Sequence, residues 1–175
     1  IHIGDYGEDL PSFTQNSSAN QQSKISAKGR PIAELFEQVF ELGLHRLRIS
    51  SLEPSEVSQE LLQVLSKYKD RVCPHFHLPL QSGDDSVLKA MRRQYNLESY
   101  LESLSQLRNI FPHACFGADI IPGFPGETEE QFANTVSFIK DTARLDYLHV
   151  FPYSKRPNTA AGRMPGHLDP KIVKE

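Results

Sequence analysis

Ala114-Cys115-Phe116-Gly117-Ala118-Asp119-Ile120-Ile121-Pro122-Gly123-Phe124-Pro125-Gly126-Glu127-Thr128-Glu129-Glu130-Gln131 is the stretch on which the reading of the fold turns. Its first eight residues form a mostly apolar run bounded by proline and glycine, the pattern of a buried strand. Two prolines and two glycines then force a turn. Thr128 and Gln131 are spaced as a capping box, which opens a helix carrying Phe132, Val136 and Ile139. Strand, glycine-rich turn and helix make half of a parallel α/β unit.

The same alternation extends in both directions. Downstream, Tyr147 to Phe151 reads as a strand leading into a tail, 152–175, rich in Pro, Gly and basic residues. Upstream, Asn96 caps a helix with Tyr100, Leu101, Leu104 and Leu107 on one face, and Asp84 or Asp85 caps a shorter one through Val87, Leu88 and Met91. Val72 to Leu80 is a further strand. Ser55 is the expected cap of a helix burying Val57, Leu61, Leu62, Leu65 and Tyr68, and Arg46 to Ser51 is expected as the strand before it. Pro31 suits a first helical turn, with Ile32, Leu35, Phe36, Val39 and Phe40 on one face and Gly43 as the stop. The polar run from Ser12 to Lys28 reads as an exposed loop. The chain opens Ile1-His2-Ile3-Gly4-Asp5-Tyr6-Gly7, as though cut from a strand and its following turn. The expectation is an α/β fold with a parallel sheet, which an open doubly wound sheet and part of a (βα) barrel with outer helices both satisfy.

At 175 residues, with 38% hydrophobic and 23% charged residues, the chain suits one globular domain. A net charge of −3 offers no global attraction to nucleic acid, so any RNA contact needs local basic clusters. Lys89, Arg92 and Arg93 form one such cluster, and Lys155, Arg156 and Arg163 another. No apolar run is long enough for a membrane span. The two cysteines, Cys73 and Cys115, are too few and too far apart for a disulfide framework or a thiolate metal site.

In parallel α/β folds ligands bind where strands end and helices begin. The unusual residues gather there: Tyr6 and Gly7, Ser51 and Glu53, Gln81 and Ser82, Asp119 to Thr128, and Phe151 to Arg156. At the glycine turn, Glu127, Glu129 and Glu130 crowd the helix start and repel phosphate, so a nucleoside without phosphates or a cationic ligand fits better. His75 and His77 share a strand face and form a His-x-His pair able to take a divalent metal, the basis of a competing metal-dependent hydrolase reading. No further His-rich run in the sequence completes that site.

Four segments together resemble the radical S-adenosylmethionine (SAM) methylthiotransferases. They are Leu78-Pro79-Leu80-Gln81-Ser82-Gly83, Leu88-Lys89-Ala90-Met91-Arg92-Arg93-Gln94-Tyr95, Asp119-Ile120-Ile121-Pro122-Gly123-Phe124-Pro125-Gly126-Glu127-Thr128, and Pro152-Tyr153-Ser154-Lys155-Arg156-Pro157-Asn158-Thr159-Ala160-Ala161. The likeness spans nearly the whole chain outside the loop at 12–28. It departs at Asn96, Pro122 and Asn158, where such proteins often have threonine, valine and glycine.

The resemblance implies a partial barrel, 1–175, that binds S-adenosylmethionine beside a [4Fe-4S] cluster held by a C-x-x-x-C-x-x-C motif. A second cluster is tied to sulfur transfer, an external electron donor supplies reduction, and tRNA is the substrate. No such cysteine motif occurs here, so the 175-residue chain alone is expected to be inactive. The resemblance assigns Ser51, Glu53, Gln81, Ser82 and Arg93 to the methionine and ribose side of the cofactor, and Ile121, Gly123 and Phe151 to the adenine side. Gln81-Ser82-Gly83 points to the tRNA branches rather than the ribosomal-protein branch. Arg48-Ile49-Ser50-Ser51-Leu52-Glu53-Pro54, His2-Ile3-Gly4-Asp5-Tyr6-Gly7 and His149-Val150-Phe151-Pro152-Tyr153-Ser154 look most like the threonylcarbamoyladenosine enzymes, which are cytoplasmic and act at tRNA position 37.

Overall fold

The computed structural model describes residues 30–169 and 171–174, so the expected turn at Tyr6 and Gly7 and the expected loop at 12–28 lie outside the described residues. Helices and strands alternate along it: α1 (Arg30–Glu41), α2 (Gln59–Lys67), β1 (His75–His77), α3 (Asp85–Ala90), α4 (Leu97–Ile110), β2 (Cys115–Ile120), α5 (Glu129–Ser137) and β3 (Tyr147–Val150). The strands form a parallel sheet in the order β1-β2-β3. Phe76 lies opposite Phe116, and Ala118 opposite Leu148.

The period of two in the strands sorts the two sheet faces. Phe76, Leu78, Leu80, Phe116, Ala118 and Ile120 join one apolar core with Phe36 and Phe40 of α1, Leu61 and Leu65 of α2, and Tyr100 and Leu104 of α4. His75, His77, Gly117, Asp119, Tyr147 and His149 alternate with them and occupy the opposite face. The helices thus lie on one side of the sheet, as expected for part of a barrel, and the other side is polar and aromatic. Among the described residues no helix is long and apolar enough to cross a membrane.

Two expected strands come out shorter, the first of them between two prolines. Pro74 and Pro79 lack an N–H, so the run from Val72 to Leu80 keeps ladder geometry only over His75–His77. The neighbouring stretch, expected as a strand from Arg46 to Ser51, pairs only through the bridge of Leu47 with Val72 and the bond from Leu52 N–H to His77 O. The cap of α2 also moves: Ser58, not Ser55, accepts the Leu61 N–H at 3.1 Å. Pro54–Glu56 form a 3₁₀ turn first, and Glu56 holds the Glu53 N–H at 2.8 Å.

Helix α5 departs from its apolar pattern. Its buried residue is Thr135, seated on Gly83, where a Cβ would come 2.7 Å from Thr135 Cα. Phe132 and Val136 instead stay exposed and line an open apolar groove of about 790 Å³ with Leu148 and Val150 of β3 and Leu168 of the tail. The helix runs on into a π-helical turn, Phe138–Ala143, that ends at Arg144 in the left-handed region (φ 49°). Arg108 of α4 donates to the carbonyls of both Ala143 and Arg144 at 2.8 Å and fixes that end.

Candidate functional site

The site is built where β1 leaves the sheet. Breaking the ladder at Pro79 leaves carbonyls needing donors, and two buried tyrosines supply them. Tyr100 donates to Leu78 O at 3.1 Å, and Tyr95 to Pro79 O at 2.9 Å and Leu80 O at 3.2 Å. Burial raises both phenol pKa values, which keeps these hydroxyls protonated as donors.

The clamped segment delivers Gln81 in the left-handed region, at φ 69°, an uncommon place for a residue with a side chain. Its backbone nevertheless continues the pairing with β2: its N–H donates to Asp119 O at 2.8 Å, and Ile121 N–H donates to its carbonyl at 2.9 Å. The Gln81 side chain is buried, and among the described residues its Oε1 has no hydrogen-bond partner. A buried acceptor without a donor costs about 1–3 kcal/mol, so this oxygen has the character of a ligand contact.

Beside it stands an ion pair. Arg93 Nη1 donates to Glu53 Oε1 at 3.1 Å, with both side chains partly buried. Arg93 is placed by Arg92, which takes a positive φ of 61° and ends α3. Tyr95 lies within electrostatic reach of Arg93, Glu53 and Asp119, which puts the pair next to the Gln81 turn. A pair this exposed adds only about 0–1 kcal/mol to stability. It leaves a carboxylate and a guanidinium at a strand end, with Ser51 half-buried two residues before Glu53.

The remaining expected contacts divide. Phe151 is 54% exposed, with its N–H on Ile120 O at 2.8 Å, so Gln81, Ile121 and Phe151 come together at the three adjacent strand exits. Ser82 is 1% exposed, and its hydroxyl faces Thr135 Oγ1 at 3.2 Å and accepts from Asp84 N–H at 3.3 Å, tying α5 to the turn. Gly123 has φ 78°, and a Cβ there would come 2.4 Å from Val173 of the tail.

Glu127 does not crowd the helix start as expected. It is buried and accepts the Gly123 N–H at 2.5 Å, closing the glycine turn from inside. Burial pushes its carboxyl above its ordinary 4.5, against the backbone N–H groups of Gly123 and Phe124. The folded state therefore holds this proton to higher pH than the unfolded chain. The carboxyl's stabilising contribution is complete below 4.5 and is lost as pH rises through the raised value. Glu127→Gln should remove that loss. Between about pH 4 and about pH 7 the urea midpoint of the variant should gain on that of the parent, whereas parallel profiles would contradict the assignment.

His75 and His77 do not act as a pair. His75 meets the Arg48 guanidinium at 3.3 Å and stacks on Tyr147, and burial and the Arg48 charge lower its pKa. His77 is buried, with Nδ1 3.1 Å from the Tyr147 hydroxyl and Nε2 2.9 Å from Asp119 Oδ1. His149 Nδ1 lies 3.3 Å from the same Asp119 oxygen. Reading along the chain missed this grouping because its members come from three strands and only the register brings them together. Cys73 accepts from Arg46 Nε at 3.0 Å, while Cys115 opens β2, so both lie toward the strand starts, away from Gln81.

Comparison with known proteins adds the family context. The family described as Radical SAM superfamily matches residues 22–139. The threonylcarbamoyladenosine tRNA methylthiotransferase MtaB of Bacillus subtilis is 39% identical over 175 residues, which is all of this chain and 35% of that protein. Its namesake from Rickettsia prowazekii is 43% identical over 94% of this chain and 35% of its own length. The tRNA-2-methylthio-N(6)-dimethylallyladenosine synthase of Mycobacterium bovis is 43% identical over 133 residues, 76% of this chain and 26% of that protein. The chain thus spans about a third or less of the length of these relatives. Among solved structures, coproporphyrinogen III oxidase from Escherichia coli superposes with a TM-score of 0.63 over 82% of this chain and 33% of that one, at 23% identity, a likeness of fold.

Proposed function

This chain belongs to the radical SAM superfamily, and from that membership we propose that it forms the central part of the barrel of a tRNA methylthiotransferase. The substrate is N6-threonylcarbamoyladenosine at position 37, methylthiolated at C2. The observation that carries the cofactor side is the buried, unpartnered Oε1 of Gln81 beside the Glu53–Arg93 pair.

Those groups suit S-adenosylmethionine. Its methionyl end has an ammonium for Glu53 or the Gln81 oxygen and a carboxylate for Arg93, and its sulfonium is compatible with the acidic side of the cleft. When bound, S-adenosylmethionine supplies radical initiation and the methyl group. This chain's residues bind and orient it: Gln81 by a fixed acceptor, Arg93 and Glu53 by opposite charges, and Ile121, Gly123 and Phe151 by shaping the side toward the adenine.

The iron–sulfur requirement is different. Cys73 and Cys115 are the chain's two cysteines, and they lie at the other end of the strands from Gln81. They do not fit a three-thiolate cluster site, so the chain on its own is not expected to cleave S-adenosylmethionine. The complete gene product would work in the cytoplasm with an external electron donor. Its exposed basic residues Lys89, Arg92, Lys155, Arg156 and Arg163 are available to tRNA phosphate.

The 39–43% identity to the two threonylcarbamoyladenosine enzymes over 94–100% of this chain favours that substrate over the dimethylallyl one. The complete gene, expressed in a strain lacking its own enzyme, should restore 2-methylthio-threonylcarbamoyladenosine in the nucleosides of digested tRNA. Appearance of the methylthio-dimethylallyl product alone would reject the substrate while sparing the family.

A further inference from the structure

We propose that His77, Asp119 and His149 form a mononuclear site for a divalent transition-metal ion of the zinc, cobalt or ferrous type, separate from any iron–sulfur chemistry. The three residues come from β1, β2 and β3, one from each strand, and all belong to the set that alternates away from the apolar core. Each offers one ligand atom, and these atoms all lie within 4.8 Å of one another. Asp119 Oδ1 is 2.9 Å from His77 Nε2 and 3.3 Å from His149 Nδ1. A triangle of those dimensions has a centre roughly 2–2.5 Å from each corner, close to the ~2.0–2.2 Å of zinc–imidazole and zinc–carboxylate bonds. Two imidazoles and one carboxylate are a common donor set for such ions, and they leave coordination positions open.

The surroundings support these ligands as a metal site requires. The ring nitrogen of His77 that would not face the ion, Nδ1, lies 3.1 Å from the Tyr147 hydroxyl. In the metal-free protein Nε2–H faces Asp119 Oδ1; once an ion displaces that proton, Nδ1–H would donate to the Tyr147 oxygen and leave the Nε2 lone pair for metal. Gly117 makes room for the arrangement: a Cβ there would lie 2.0 Å from the Tyr147 ring, so the ring can cross β2 only because this position has no side chain. His77 is 7% exposed and anchors the site, whereas His149 is open to solvent and leaves the outer coordination positions accessible. No hydrolytic step is part of the proposal.

The test is titration of the purified 175-residue chain, free of affinity tag, with cobalt(II) followed by its visible d–d absorption, then displacement with zinc(II). One cobalt should bind per chain and be released by zinc. Asp119→Asn and His149→Ala should each weaken binding at least roughly ten- to hundredfold, the loss seen when even an outer-shell partner of a metal site is removed. His113→Ala, on an exposed histidine outside the cluster, should leave binding unchanged. His149→Ala removes an exposed side chain, and circular dichroism matching the parent would show that its effect is not unfolding. Absence of saturable binding by a folded parent would overturn the proposal, as would binding that both ligand variants keep. Intense sulfur-to-cobalt charge transfer abolished by Cys73→Ser would also overturn it, by assigning the ion to a thiolate. None of these readouts depends on methylthiotransferase activity, so they stand or fall apart from the proposed function.

Discussion

Gln81→Ala, Glu53→Ala and Arg93→Ala, each made in the complete gene product, are expected to lower S-adenosylmethionine affinity roughly ten- to hundredfold, the equivalent of about 1.5–3 kcal/mol for one charge-assisted hydrogen bond. Gln81 differs from the other two in kind. Among the described residues its Oε1 is buried without a donor, so its removal costs the unliganded protein little and relieves it of an unsatisfied group. The loss should appear in ligand binding with stability nearly unchanged. Arg93→Ala separates Glu53 from a cation in a partly buried setting and should lower stability slightly as well. Equilibrium dialysis with the cofactor, alongside urea unfolding, separates the two effects. Parental affinity in all three variants would remove the site assignment and leave the family intact.

Phe76→Ala should have the largest effect on the fold, about 3–5 kcal/mol for a fully buried phenylalanine truncated to alanine. Phe76 is 0% exposed at the centre of β1, with ring centroids 5.0 Å from Phe111 and 5.5 Å from Phe116. It joins β1, β2 and the end of α4, so the cavity would open where three elements meet and where the sheet has little freedom to collapse. Against a typical total of about 5–15 kcal/mol, such a loss would leave a protein near its unfolding threshold. Leu42→Ala is the control, because Leu42 is 88% exposed and should change the urea midpoint by no more than about 0.5 kcal/mol in equivalent stability. Equal behaviour of the two variants would mean that Phe76 is not central to the core.

The sequence was most legible where the determinants are local. Asp84, Asn96 and Thr128 cap α3, α4 and α5 as expected, because a cap is a matter of a few neighbouring residues. The alternation of strands and helices, with the apolar strand positions facing the helices, was also readable. What the sequence did not disclose depends on distant partners. The Ser82 hydroxyl meets Thr135, more than fifty positions away, a contact that no local pattern signals. Phe132 and Val136 look like core residues by period alone, but Gly83 draws α5 in by its Thr135 edge and turns them to the groove. His77, Asp119 and His149 show no mutual spacing in the chain, since strand register alone puts them within reach. Pro74 and Pro79, by contrast, are local signals that bound the regular part of β1.

Residue 81 carries a lesson for anyone who engineers this barrel for heat resistance. A left-handed backbone is the natural place for glycine, and Gln81→Gly would relax the φ 69° conformation while deleting a buried oxygen that has no partner among the described residues. A screen that rewards only survival at high temperature would therefore favour this exchange early. If Gln81 holds the ligand as proposed, the most thermostable clones would be the ones that no longer bind it, so selection at this position has to score ligand capture together with melting.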